Sequence, residues 1–444
     1  MKEKLLWEKA MDWDFNSLEK WDSKICEVAK SHGLDWFPIT YEVCDYFSMI
    51  GHMSYHGMPT HYGHWSYGKA FERTHTMYNM GMEGLPYELI INSNPSIAYL
   101  MRENPAYLQI LIMAHCVGHS DFFKNNRMFI NTKPESVVAR FRNAKKRIQE
   151  YTEDPTIGIE EVEETLDAAH TIAFQTHRYG QIRFTGKALY KKYSNLIKKD
   201  EIGEYTNFDI SKVPLEPDYD ILGFMVEYAD LPEWKKDIIE IVRDESKYFI
   251  PQVQTKIMNE GWASYWHYTL LHELDLPSSL HIPFIKTHNQ VIRPHIGGLN
   301  PYHIGFTIFQ DIKEKHGIDE CFIAREAGHD VSFLRQYLTR SLCEKLGLFT
   351  FSEKFKKGIT IDDISDEDGW KHVKNDLMNS VGTNSIPVIY IDEIESDGSL
   401  ILRHEHDKRD LDLNHAETVV NHINTLWSNG VKLYTIVEEE LWEI

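Results

Sequence analysis

Hydrophobic spacing divides the 444-residue chain into two textures. Up to about Leu346 apolar residues recur mostly at helical intervals, and beyond it short alternating runs of strand period take over. In the first part the pattern predicts one or two amphipathic helices across residues 2 to 32, ending near Gly33. A turn-rich aromatic stretch follows, whose glycines and prolines exclude long regular elements before about Ser66. YELIINSNP, residues 87 to 95, reads as a short strand stopped by a turn signal. Further helices are predicted over 134 to 151, 158 to 179, 221 to 229, 232 to 248 and 302 to 315, and across REAGHDVSFLRQYLTRSL. A proline-punctuated surface excursion is expected at 180 to 220, and a loop at 288 to 306. In the second part LFTFSEKF, PVIYIDEI, SLILRHEHD and VKLYTIVEE read as strands, the second and third joined by an Asp397-Gly398 turn. Helices near 368 to 380 and 414 to 428 lie between them. The expected architecture is a mainly α N-terminal domain, residues 1 to 346, followed by a small α+β C-terminal domain, residues 350 to 444.

One helical segment differs from the rest. Residues 104 to 126, NPAYLQILIMAHCVGHSDFFKNN, are apolar on nearly every side, which predicts a helix buried all round, with Asn104 as its N-cap and Pro105 in its first turn. It carries His115 and His119 four positions apart, so the imidazoles stand about 40° apart on one face with about 6 Å of rise between them. Gly118 between them would let another backbone approach closely. Two histidines at this spacing are also compatible with core imidazoles bonded to backbone or water. A second segment, PQVQTKIMNEGWASYWHYTLLHELDLP, places Glu260, Ser264 and His267 on one face of an aromatic-rich helix, where a carboxylate must be paired, protonated or metal-bound.

Together His115, His119 and Glu260 follow the order of a gluzincin-type zinc peptidase, and they predict a buried zincin-like helix pair holding a divalent transition metal. Two imidazoles and a carboxylate with an open position suit zinc first, and also iron or manganese. The glutamate that zincins carry directly after the first histidine is here Cys116. In this scheme His267 bonds an oxyanion or shuttles a proton, and Asp121 is a further catalytic or supporting carboxylate. On the predicted helix 158 to 179, Glu163, Asp167, His170 and His177 share one face. Asp167 and His170 are candidates for outer support or a second ion, against the alternative of an acidic surface turn followed by a half-buried histidine.

Composition narrows the function classes. Hydrophobic residues at 42% and charged residues at 26% are those of an ordinary globular protein. A net charge of −21 opposes binding to nucleic acid or to an anionic membrane, and about half of it falls in residues 351 to 444. RFRNAKKR, at 140 to 147, is read as a solvated helix face. The 5 cysteines are scattered without a C-x-x-C pair, which points to a reduced, cytoplasmic protein. The N-terminus lacks the apolar core of a signal peptide, and no run approaches the 18 or so apolar residues of a membrane span.

The ordered motifs GHWSYGKAF (63 to 71), ELIINSNP (88 to 95), HCVGHSDFFKNN (115 to 126), LDAAH (166 to 170), PQVQTKIMNEGWASYWHY (251 to 268), NPYHIG (300 to 305), HDVSFLRQYLT (329 to 339) and LILRHEHDKRDLDLNHAETVVNHINTLW (400 to 427) resemble the SpoVR family, named for a stage V sporulation protein. The resemblance runs from near residue 35 to the end. It makes the missing zincin glutamate at position 116 a family trait. It implies a link to the spore cortex, a peptidoglycan layer, and in bacteria that make no spores an association with a PrkA-type serine protein kinase and a von Willebrand-A-like protein in stress and starvation responses. It implies no established activity. Two functions are therefore expected: a metal-dependent hydrolase of amide bonds, or a non-catalytic partner in a kinase-centred complex. An iron or manganese redox protein using the same ligands is a variant of the first.

Overall fold

The computed structural model describes residues 13–80, 88–176, 183–199, 209–295, 298–348, 351–353, 359–361 and 369–444. Among them are 17 α-helices, so the chain is mainly helical, with strands concentrated toward the C-terminus. Its contacts gather into two units: residues 1–143 with 251–384, and residues 144–250 with 385–444. The division expected at 346 to 350 runs through the first of these.

The first unit also contains a sheet that hydrophobic spacing only partly revealed. β1 (Ile39–Cys44), β2 (Glu88–Ile91) and β3 (Ser96–Met101) order as β1-β3-β2. β1 runs parallel to β3 with Tyr41 opposite Ala98, and β2 runs antiparallel with Ile90 opposite the same residue. Only β2 was expected. β1 and the helix Tyr46–Ser54 interrupt the stretch read as irregular, because the Asp45 side chain caps that helix at Ser48 N and so starts a regular element among the turns. Over this sheet lies the histidine helix, Ala106–Asn125. Leu108, Ile112 and Cys116 on one of its faces join Ala98 and Leu100 in an apolar cluster. Its other faces enter the main core with Trp262, Trp266 and Phe309. β4 (Phe351–Glu353) and β5 (Ile359–Ile361) form a separate antiparallel pair.

Two further differences concern helices. Ser278–Val291 contains His288, so the expected loop begins later than 288. Gly186–Lys199 is helical inside the expected surface excursion. His177 lies outside the described residues.

In the second unit four strands order as β6 (Ile389–Ile394), β7 (Leu400–His404), β8 (Val431–Val437) and β9 (Glu440–Glu443). β6 and β7 are antiparallel across the Asp397-Gly398 turn, where Gly398 adopts φ +91°. β7 and β8 are parallel, and the helix Leu413–Trp427 is their crossover. That helix packs against Ile159–Thr171, while Asp218 and Ile391 exchange backbone hydrogen bonds of 3.0 and 2.8 Å. Among the described residues no helix is long and apolar enough to cross a membrane.

Candidate metal centre

The histidine helix is buried without interruption from Leu108 to Phe123. It starts one residue later than expected. Asn104 is drawn into a turn on Met101 O and its carbonyl accepts the Trp13 indole N–H at 2.8 Å, so Pro105 takes the extended cap position. Its partner, the glutamate helix Lys256–Glu273, is buried from Ile257 to His267. Thr255 gives this helix no side-chain cap. The cap comes from Asp330, whose two carboxylate oxygens accept the N–H groups of Ile257 and Met258 at 2.9 Å each.

Glycines set the distance between these helices. A Cβ on Gly118 would meet Ala263 Cα at 2.8 Å, so only glycine allows the two backbones this separation. On the far side of the glutamate helix, a Cβ on Gly261 would lie 2.4 Å from the Gly305 backbone in the helix Pro301–His316.

This close packing brings His115, His119 and Glu260 together. One donor atom from each lies within 4.8 Å of the others, and all three residues are buried. Glu260 Oε2 stands 3.7 Å from His115 Nε2 and 3.4 Å from His119 Nε2. Its other oxygen, Oε1, accepts the Lys256 ammonium at 2.5 Å. Burial would raise the Glu260 carboxyl, but Lys256 and then the two imidazoles outweigh it and hold the group well below the usual carboxylate range. Glu260 is therefore an anion at neutral pH.

The outer nitrogens of the histidines are also placed. His119 Nδ1 lies 2.8 Å from Asn259 Oδ1. An amide oxygen only accepts, so Nδ1 carries a proton and Nε2 is the nitrogen turned to Glu260. His115 Nδ1 lies 2.9 Å from His267 Nδ1, and His267 Nε2 lies 2.7 Å from His288 Nδ1. Burial first, then the His115 and His288 rings, keep the His267 imidazole well below its ordinary pKa and hence neutral; burial with the His272 and His115 rings brings His288 to about 4. Phe123 stacks on His119 and Tyr302 on His115.

The donor set fits a metal ion. Ligand atoms bound tetrahedrally at about 2.0–2.1 Å stand roughly 3.3 Å apart, close to the separations seen from Glu260 Oε2. Those separations exceed the roughly 2.7–3.2 Å of ordinary N–H···O bonds. Glu260 Oε2 is buried and has no hydrogen-bond partner among the described residues.

The other expected site residues lie elsewhere or are otherwise engaged. Asp121 sits two positions past His119, about 200° around the helix. Its oxygens accept the Asp35 backbone N–H and the Trp262 indole N–H at 2.8 Å each, with Arg325 at 3.4 Å, so it fastens helices together. Burial lifts its carboxyl to about 6, partly offset by Arg325. Asp167 and His170 belong to the second unit, and the three-residue group to the first. Cys116 packs with Ala98 and Leu100 of the sheet. Sequence reasoning missed Asn259 and Lys256. Lys256 is four residues before Glu260, the spacing of a helical ion pair, and Asn259 sits in the N-E-G motif, so both had a signal.

The profile of the family described as SpoVR like protein matches residues 12–386, and that of the SpoVR-like C-terminal domain matches 385–438. The chain belongs to the SpoVR family. This SpoVR-family chain is 34% identical over 475 residues to the uncharacterized protein YcgB of Escherichia coli (strain K12), covering 95% of the chain and 92% of that protein. The junction between the two SpoVR profiles falls where contacts divide Asn384 from Ser385. No solved structure matches the chain.

Proposed function

We propose that this protein binds one divalent transition-metal ion through His115 Nε2, His119 Nε2 and Glu260 Oε2, and that it is a metal-dependent hydrolase of amide bonds. The observation that carries the reading is the buried convergence of these atoms, with the Glu260 anion facing two imidazoles beyond hydrogen-bond length. Zinc suits the donors best, and iron or manganese would use the same ones. A bound ion of this kind supplies Lewis acidity toward a carbonyl. Lys256 holds Oε1 so that Oε2 is the oxygen turned to the imidazoles. His267 fixes the ring of His115 and is fixed in turn by His288, so we assign it an orienting role. The amide substrate class rests on the cortex link that the resemblance to a stage V sporulation protein implies.

A second reading is a non-catalytic partner of a PrkA-type serine kinase and a von Willebrand-A-like protein, with the ion structural. It is favoured by Cys116, which stands where zincins carry their general-base glutamate and is buried against the sheet.

Elemental analysis of protein purified without chelator tests the site: about one equivalent of metal is expected, lost in His119→Ala and Glu260→Ala but kept in Cys116→Ala. Unchanged metal in the first two variants ends the proposal. Turnover of peptidoglycan-derived amides that disappears with the metal supports the hydrolase, whereas a metal-loaded protein that turns over none but co-purifies with the kinase supports the second reading.

A further inference from the structure

The second unit contains a cavity of about 280 Å³, which neither the metal centre nor the family assignment uses. Its floor is Ile389, Leu402 and Leu433, one residue from each of β6, β7 and β8, and its wall is Val420 and Ile423 of the helix Leu413–Trp427. Ile172, just past Ile159–Thr171, also lines it. Leu402 and Ile423 are 0% and 1% exposed, so the lining is interior surface.

Polar groups on the lining belong to the mouth. Gln175 is already committed, donating to Pro387 O at 2.9 Å and accepting from Ile389 N at 3.1 Å, so it braces the rim. Thr171 donates its hydroxyl to Asp167 O and retains acceptor capacity. Asp412 caps the crossover helix through His415 N at 3.0 Å, and with His415 it is largely exposed. The mouth therefore carries a fixed carboxylate beside an apolar interior.

Close-packed interiors hold few voids larger than a water, and a cavity of about 150 Å³ with such a lining is large enough to take up benzene. At about 280 Å³ this cavity is roughly twice that size. We infer that this cavity is a binding site for a small uncharged amphiphile, an aliphatic or aromatic body ending in a hydroxyl, with the body between β7 and the crossover helix and the hydroxyl donating to Asp412. A carboxylate head is opposed by the Asp412 charge at the same mouth.

The test is calorimetric titration of the full chain with n-octanol, compared with octanoate. Octanol is expected to bind saturably at one site, and octanoate about tenfold more weakly or worse, the effect of one like charge at close range. Asp412→Asn should narrow that gap. Ala416→Phe, which fills the lining, should weaken octanol at least tenfold; if that variant melts early, Val419→Trp at the half-buried rim serves the same purpose. Absence of saturable octanol binding up to its solubility, octanol binding unchanged in the filled variants, or octanoate binding as tightly as octanol would overturn the assignment.

Discussion

Asp330 begins the helix Asp330–Tyr337, yet both of its oxygens serve the first turn of the glutamate helix. Burial raises its carboxyl to about 7 despite those two N–H donors. An unfolded aspartate titrates near 3.9, so between roughly pH 4 and 7 the unfolded chain has released a proton that the native chain keeps. Stability contributed by Asp330 is thus fully present below pH 4 and falls as pH rises toward 7. Asp330→Asn removes the titration. Guanidinium unfolding at pH 4, 5, 6 and 7 should therefore show wild type losing stability relative to the variant as pH increases. A gap that grows in favour of wild type would mean that the ionised carboxylate is the better cap. At this scale the sequence was partly legible. His115, His119 and Glu260 stood out because helical spacing assigns sides, and imidazole and carboxylate are the side chains a metal selects. The trans cap from Asp330 was not legible, since 72 residues separate it from Met258 and no local pattern marks such a pairing.

At the scale of elements, the site depends on how near three helices approach. Gly118 against Ala263 and Gly261 against Gly305 are backbone contacts with no flexible side chain to yield. Gly261→Ala should cost roughly 1–3 kcal/mol by forcing these helices apart, and should weaken metal retention with no ligand altered. Gly68→Ala is the matching control. Gly68 lies inside the helix Trp65–Asn79 with nothing within 4 Å of an added Cβ, so helix propensity should stabilise that variant by about 0.5–1 kcal/mol. Chemical denaturation of both, with metal content, checks the pair; equal effects would remove the packing argument. Most helices were readable from their 3.6-residue period, including Ile221–Tyr228 and Pro301–His316. β1 and β3 were obscured by neighbouring glycines and prolines, and Ser278–Val291 by its internal Pro283, because a local breaker outweighs period in a short window while tertiary packing restores the element.

For the whole molecule, the chain order of elements and their grouping by contact differ. β6, β7 and β8 were expected from their alternation and the crossover helix from its helical spacing, whereas β9 was not expected; neither pattern carries information on what covers the sheet. The contacts group them with residues 144–250: the crossover helix packs on Ile159–Thr171, Asp218 pairs with Ile391 on β6, and Gln175 is hydrogen-bonded to Pro387 and Ile389. A fragment of residues 350 to 444 leaves all three partners behind and exposes Ile391, Leu402, Val420 and Ile423, each buried in the full chain. At about 25 cal/mol per Å² of apolar surface returned to water, such a fragment has little with which to offset the entropy of ordering its backbone. It should therefore show no cooperative thermal transition by circular dichroism and few protected amides by hydrogen exchange. A fragment of residues 144 to 250, mixed with one of 385 to 444, should recover a transition that neither has alone. A sharp melt from the isolated 350 to 444 fragment would instead establish it as a self-sufficient domain, and would make its packing on Ile159–Thr171 a docking contact between folded parts rather than a shared core.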